Sequence, residues 1–96
     1  MQGFRITLKP DAVLDLNRLR KHDATLIADQ IERHLRFEPA RVSRSRIKRL
    51  RPPQPADYRL RVGAYRVFYR IAGDEVQVLR VMHKGQTREF YREEQP

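Results

Sequence analysis

Four residues, Val62-Gly63-Ala64-Tyr65, constrain this chain more than any others. Glycine stands at the first of two central positions, between two runs that alternate basic and apolar residues. It reaches φ > 0 without a Cβ clash, and in that place it marks a type II′ turn, whose twist suits paired strands. A two-residue loop fixes the register. Val62 faces Tyr65, Arg61 faces Arg66, Leu60 faces Val67 and Arg59 faces Phe68. Residues directly opposite share a sheet face. Arg59, Arg61 and Arg66 therefore gather on one face, with Phe68 among them.

Like charges placed directly opposite destabilise a sheet. Folding alone gives no reason to set Arg61 against Arg66, and an anion held between them reverses the sign of the interaction. A second two-residue loop, Gly73-Asp74, extends the map. It pairs Ile71 with Val76, Phe68 with Leu79 and Arg66 with Val81, and continued further it sets Ala64 opposite His83. In this register His83 joins the arginine face, with Lys84 at the strand end. One additional residue would turn His83 to the other side.

The wider composition agrees with an anionic partner. Lys and Arg number 21 against 12 acidic residues in 96, a formal charge of +9. That excess points to a polyanion or to an acidic protein segment. Most of it is arginine, which favours bidentate phosphate contact over a point charge. Cysteine is absent, which removes disulfides and thiolate metal sites. No apolar run approaches a membrane span, and M-Q-G-F-R-I-T-L-K-P is too short and polar for a signal peptide. The cytoplasm is the expected compartment. The length suits one domain over 1–96 with one modest core.

The remaining elements follow from periodicity. Phe4, Ile6 and Leu8 alternate with Arg5 and Thr7 as in a strand. Pro10 suits the first position of a helix and Asp11 its positive end. Ala12, Leu16 and Leu19 continue that helix to about Lys21. Asp23 is the expected N-cap of a second helix, striped by Ala24, Ile27, Ala28, Ile31 and Leu35 and ended by Pro39. His22 and His34 fall in the turn between these helices and beside the stripe, and read as structural.

Arg41 to Arg51 is densely basic, and Pro52-Pro53-Gln54-Pro55 then forbids regular structure. Because the run leads into Arg59 and Arg61, its cations Arg44, Arg46, Lys48 and Arg49 are expected to track a phosphate backbone. Three strands over roughly 57–62, 65–71 and 75–82 form a meander. Tyr58, Leu60, Val62, Val67, Tyr69, Ile71, Val76, Val78 and Met82 make its core face, and Arg80 falls on that face without explanation. Phe68, Leu79 and Val81 leave an apolar patch on the other face. Either the carboxy-terminal Phe90 and Tyr91 cover it, or a partner chain does. The expected class is α+β: two amino-terminal helices, as a hairpin, on one face of a four-stranded, mainly antiparallel sheet.

The order strand, two helices, basic loop, then Y-R-L-R-V-G-A-Y-R-V-F-Y-R-I, V-L-R-V-M-H-K and E-F-Y-R resembles the RelE/ParE family of bacterial type II toxins over nearly the whole chain. The resemblance implies a small ribonuclease-like fold, cleavage of mRNA on the ribosome, and neutralisation by a cognate antitoxin, with which an oligomer is possible; the +9 charge leads us to expect an acidic segment on that antitoxin. ParE-like members share the fold, poison DNA gyrase and cut no RNA. By position, Arg59 and Arg61 match the basic pair on the second strand of the RNA-cleaving members, where lysine is common. Arg66 matches their third-strand arginine and Tyr91 their carboxy-terminal tyrosine. His83 resembles a strand-end histidine of several relatives, and Lys84 a basic position there. Gly85-Gln86-Thr87 interrupts what is often a tighter basic run.

Cutting RNA without a metal requires a proton acceptor for the 2′-hydroxyl, stabilisation of the phosphorane, and a proton donor for the 5′-oxygen. Arginine stabilises charge well and is a poor base. Histidine, at an ordinary pKa of ~6.5, can perform either proton task. The expected catalytic set is Arg61 and Arg66 on the scissile phosphate, His83 as general base or acid, and Tyr91 stacking a base or positioning the 2′-hydroxyl. Arg59 or Lys84 would hold a neighbouring phosphate. No metal constellation, cofactor motif or glycine-rich phosphate loop is expected, because acidic residues and glycines are scattered.

Overall fold

The computed structural model describes residues 2–92. Strand β1 (Arg5–Leu8) leads into helices α1 (Pro10–Asn17) and α2 (Lys21–Leu35). Strands β2 (Ile47–Arg49), β3 (Tyr58–Val62), β4 (Tyr65–Ala72) and β5 (Glu75–His83) follow, and a 3-10 turn (Lys84–Gln86) passes into α3 (Thr87–Arg92). The sheet runs β1-β5-β4-β3-β2, with β1 parallel to β5 and the other pairs antiparallel. It therefore has five strands, not four. The additional strand, β2, is three residues long and is concealed in sequence by the cations around it.

Both hairpins close as their glycines require. Gly63 and Gly73 have φ of +56° and +61°, and no other described residue has positive φ. Across the first turn Arg61 pairs with Arg66 and Arg59 with Phe68, as expected. Beyond the second turn Ile71 pairs with Val76, and Tyr69 with Val78. The next pair is Phe68 with Arg80, so Leu79 is left over as a β-bulge. One extra residue reverses the facing of all that follows it. Val81, expected on the open face, lies in the helix-side core. Met82, expected in that core, lies on the opposite face.

The helices cover one face of the sheet. Ala12, Ile27, Ile31 and Leu35 pack on Leu60, Val62, Val67, Tyr69, Val76 and Val78. α1 ends at Asn17, short of Lys21, with Arg18 and Leu19 N–H groups bonded back onto its last carbonyls. Arg20, not Asp23, precedes α2 as its N-cap. Asp23 sits within the first turn, where its carboxylate accepts from the Tyr65 hydroxyl at 3.3 Å and still suits the positive end of the helix.

Arg80 is resolved by α1. β1 ends at Leu8, opposite Val78, so the outer edge of β5 then lacks a strand partner. Asp15, buried in α1, takes that place. Its carboxylate accepts from Val81 N at 2.8 Å, from Arg80 Nε at 2.8 Å and from Arg80 Nη2 at 3.0 Å.

The opposite face carries a smaller core of Leu50, Ala56, Phe68, Met82 and Phe90. α3 lies over it, with the Phe90 ring stacked on Phe68 at 4.1 Å. The carboxy-terminal segment is thus the cover that the sequence left open, and Phe68 is fully buried. Among the described residues no helix is long and apolar enough to cross a membrane.

Candidate nucleic-acid interface

Beside α3, the same face presents two rows of cations. Lys48 pairs with Arg59, which pairs with Phe68. One step along, Arg61 pairs with Arg66, and Arg61 N donates to Arg46 O at 2.8 Å. Arg46 thereby continues the row as Arg46–Arg61–Arg66. Its guanidinium donates to Arg61 O at 3.2 Å, which ties the two backbones together.

The loop before β2 is held by a small residue. Ser43 Oγ accepts from Arg46 N at 3.1 Å and Ile47 N at 3.3 Å, a local turn that aims Arg44, Ser45 and Arg46 along the rim. Further back, the buried Tyr69 hydroxyl donates to Pro39 O at 2.5 Å and anchors the segment leaving α2. Loop and strands enclose a hollow of about 160 Å³ bordered by Ser43, Ser45, Arg46, Arg59, Arg61 and Arg66.

Arg66 is tied back to the first turn by two hydrogen bonds. Its Nη1 donates to Gly63 O at 3.0 Å and Tyr65 O at 2.9 Å. Burial, and then the charges of Arg59 and Arg61, hold its guanidinium below the ordinary arginine pKa. It remains a cation at neutral pH, and repulsion from Arg59 and Arg61 adds to the effect of burial. An anion in this hollow removes that repulsion. Arg59 Nη1 also donates to the Tyr91 hydroxyl at 3.3 Å. The Tyr91 ring stands edge-on to Phe68 at 5.6 Å and to Phe90 at 5.8 Å. A second hollow of about 440 Å³ adjoins the first across Lys48 and Arg59, walled also by Arg51, Gln54 and Tyr91.

Arg59, Arg61, Arg66, Tyr91, Arg44, Arg46 and Lys48 thus converge. Three expected residues do not. His83 pairs with Tyr65 and stands on the helix side, beside Asp15, Arg18 and Arg80. Its Nδ1 accepts from Gly85 N at 3.1 Å, so it serves as a cap for the following turn. The bulge at Leu79 is the physical cause of this displacement. Lys84 leaves the sheet in the 3-10 turn, bonds Ala64 O through its backbone at 2.7 Å, and borders neither hollow. Arg49 pairs with Tyr58 and lies 6.0 Å over that ring, on the opposite face from Lys48, though it also borders the second hollow. Sequence reasoning missed Gln54 and Ser43. The flanking prolines of Gln54 were the available signal; nothing in sequence marked Ser43 as the organiser of its loop. Among the described residues no group of three His, Asp or Glu side chains is disposed to hold a metal.

Several solved structures similar to this chain come from toxin–antitoxin systems. A family model described as the ParE toxin of the type II toxin–antitoxin system, parDE, matches residues 6–88. The toxin–antitoxin complex RelBE2 from Mycobacterium tuberculosis contains a chain 28% identical to this one, at TM-score 0.67, with 84% of this chain and 98% of that chain covered. A chain of the archaeal RelE–RelB complex from Pyrococcus horikoshii is 23% identical at TM-score 0.69, covering 86% and 97%. A mutant RelE toxin of Escherichia coli in the free state is 18% identical at TM-score 0.69, covering 96% and 94%. Curated protein sequences yield no match. The last two likenesses concern the fold alone, whereas the family model runs from β1 through β5 to the start of α3. The chain belongs to the RelE/ParE family of type II toxin–antitoxin toxins.

Proposed function

We propose that this toxin acts on RNA in the cytoplasm, as a metal-independent endoribonuclease that cuts mRNA on the ribosome. The observation that carries the reading is the convergence of Arg46, Lys48, Arg59, Arg61 and Arg66 around one hollow beside Tyr91. Five cations on one face suit a phosphate backbone, and an aromatic ring beside them suits an unstacked base.

In this reading Arg61 and Arg66 hold the scissile phosphate and stabilise the phosphorane. Arg59 positions Tyr91 and touches the neighbouring phosphate. The 2′-oxygen attacks phosphorus and the bond to the 5′-oxygen breaks, leaving a 2′,3′-cyclic phosphate and a 5′-hydroxyl. His83 is too far round the sheet for the proton task. In its neutral form Lys48 takes the 2′-hydroxyl proton, because an amine releases a proton far more readily than a guanidinium, and solvent water returns a proton to the leaving 5′-oxygen. It faces Arg59 directly.

The cognate antitoxin is the second partner. Phe68 and Val81 are buried by this chain itself, so they offer no docking patch. The helix hairpin does, through the exposed Val13, Leu14 and Leu26. An apolar helix flanked by an acidic segment suits that surface and the +9 charge.

Incubation with ribosome-bound mRNA tests the reading: cleavage that leaves 2′,3′-cyclic-phosphate ends is expected. A second reading, inhibition of DNA gyrase without RNA cleavage, is favoured by the ParE identity of the family model. Loss of supercoiling activity together with intact mRNA would replace the first reading with the second.

A further inference from the structure

The segment after α2 carries an aromatic ring that the fold does not use. Phe37 is 58% exposed, the highest value among the exposed large apolar side chains described. Its ring meets no other ring among the described residues. Cations surround it instead. Phe37 borders a hollow of about 490 Å³ with Arg33, His34, Arg41, Ser43 and Arg46. Glu38, the one carboxylate on that border, pairs with Arg41 at 3.1 Å. Arg33 and Arg46 have no carboxylate partner among the described residues. Burial, and then the charges of Arg46 and Arg33, hold the His34 imidazole below its ordinary pKa, and its Nε2 lies 3.0 Å from Gln30 Oε1.

We propose that this hollow is a second RNA subsite, in which Phe37 stacks on a base while Arg33 and Arg46 hold the adjoining phosphates. The inference rests on the RNA reading above and extends it past the Ser43 loop. Ser43, Arg46 and Ile47 border both this hollow and the one between Arg61 and Arg66. One strand can therefore pass from the first to the second without leaving the basic surface. An exposed ring beside unpaired cations suits a single strand: its phosphates neutralise the charge, and every base has a π face to offer. The subsite carries no choice of base for that reason. An acidic polypeptide would match the cations equally, but the continuity with the arginine hollow favours RNA.

The test uses the full chain and a single-stranded oligoribonucleotide of about ten residues, within the usual span of such sites, 2′-O-methylated so that it cannot be cut. Phe37→Ala should bind it about tenfold more weakly, the scale of losing one base–aromatic stack. The same variant should bind inorganic polyphosphate, which has no bases, as the parent does, and should melt with the parent because the ring buries little. Phe37→Trp keeps a stacking ring and introduces the only indole in the chain. It should bind as the parent does, with its fluorescence quenched by the oligonucleotide. In the bound parent His34 should titrate at a higher pH, since phosphates offset the surrounding Arg33, Arg41 and Arg46 and outweigh the single Glu38. Phe37→Ala binding RNA as the parent does, while Arg61→Ala binds it more weakly, overturns the subsite and leaves an RNA-directed toxin intact. Unchanged binding in both variants overturns the subsite and the RNA reading together. An equal loss for polyphosphate and RNA in Phe37→Ala overturns the stacking. Quenching of Phe37→Trp by polyglutamate but not by the oligonucleotide overturns the subsite in favour of a protein partner.

Discussion

Tyr65 and His83 face each other across β4 and β5, their rings 5.7 Å apart and nearly perpendicular at 86°. This pairing places the imidazole on the helix side, away from Arg61 and Arg66. His83→Ala should therefore reduce mRNA cleavage by less than about threefold. Arg61→Ala should reduce it by about 10²-fold, the scale of losing one preorganised donor to a transition-state anion. Cleavage rates on ribosome-bound mRNA compare the two. An equal, large loss in both would return His83 to the chemistry.

Arg61→Ala and Arg66→Ala should differ in stability even though the two residues pair directly. Arg61 is exposed and repels its neighbours, so Arg61→Ala should melt at or slightly above the parent temperature. Arg66 is half-buried and donates to Gly63 O and Tyr65 O. Arg66→Ala loses both bonds and should cost about 1 kcal/mol, a fall of roughly 4–8 °C for a chain of this size. Thermal melts by circular dichroism separate the pair.

Asp15 supports the edge of β5 where β1 has ended. Asp15→Ala removes the acceptor of Val81 N and two of the bonds of the Arg80 guanidinium. Breaking a fully buried ion pair costs about 3–5 kcal/mol. Arg80 is partly exposed, so about 2–3 kcal/mol is expected here. Hydrogen exchange at Val81 should accelerate first, and an unchanged rate would mean that this carboxylate does not hold the edge.

Tyr69 imposes an alkaline limit. Burial, then the nearby Tyr58, pushes its hydroxyl pKa far above the ordinary value of 10.0. Above pH ~10 the unfolded chain releases this proton and the folded chain retains it. The proton excess lies with the folded state, so stability present below pH 10 is lost as pH rises through that value. The slope from this group approaches about 1.4 kcal/mol per pH unit. Tyr69→Phe should start less stable, having lost the bond to Pro39 O, but its alkaline slope should be shallower. Parallel slopes would assign the alkaline loss to other groups.

Local sequence determined the arginine face. A two-residue loop with glycine first has few solutions, and Arg59, Arg61 and Arg66 lie within five residues of it, so their common facing follows from turn geometry alone. Helical stripes through Ile27, Ile31 and Leu35, and the family-like run from Tyr58 to Ile71, were legible for the same reason: their information is short-range. Only the tertiary structure decided the rest. Leu79 becomes a bulge because β5 must meet β1 on one side and β4 on the other, then exchange β1 for the Asp15 carboxylate. No window around Leu79 contains that requirement. One unpaired residue moved His83 off the arginine face and brought Val81 into the core. Likewise β2, three residues in a run of cations, is a strand only because β3 offers it an edge. Gln54 became conspicuous only when folding buried its oxygen beside Tyr91, thirty-seven positions away in the chain. Side-chain facing propagates along a strand with period two, so a single distant constraint is enough to invert it.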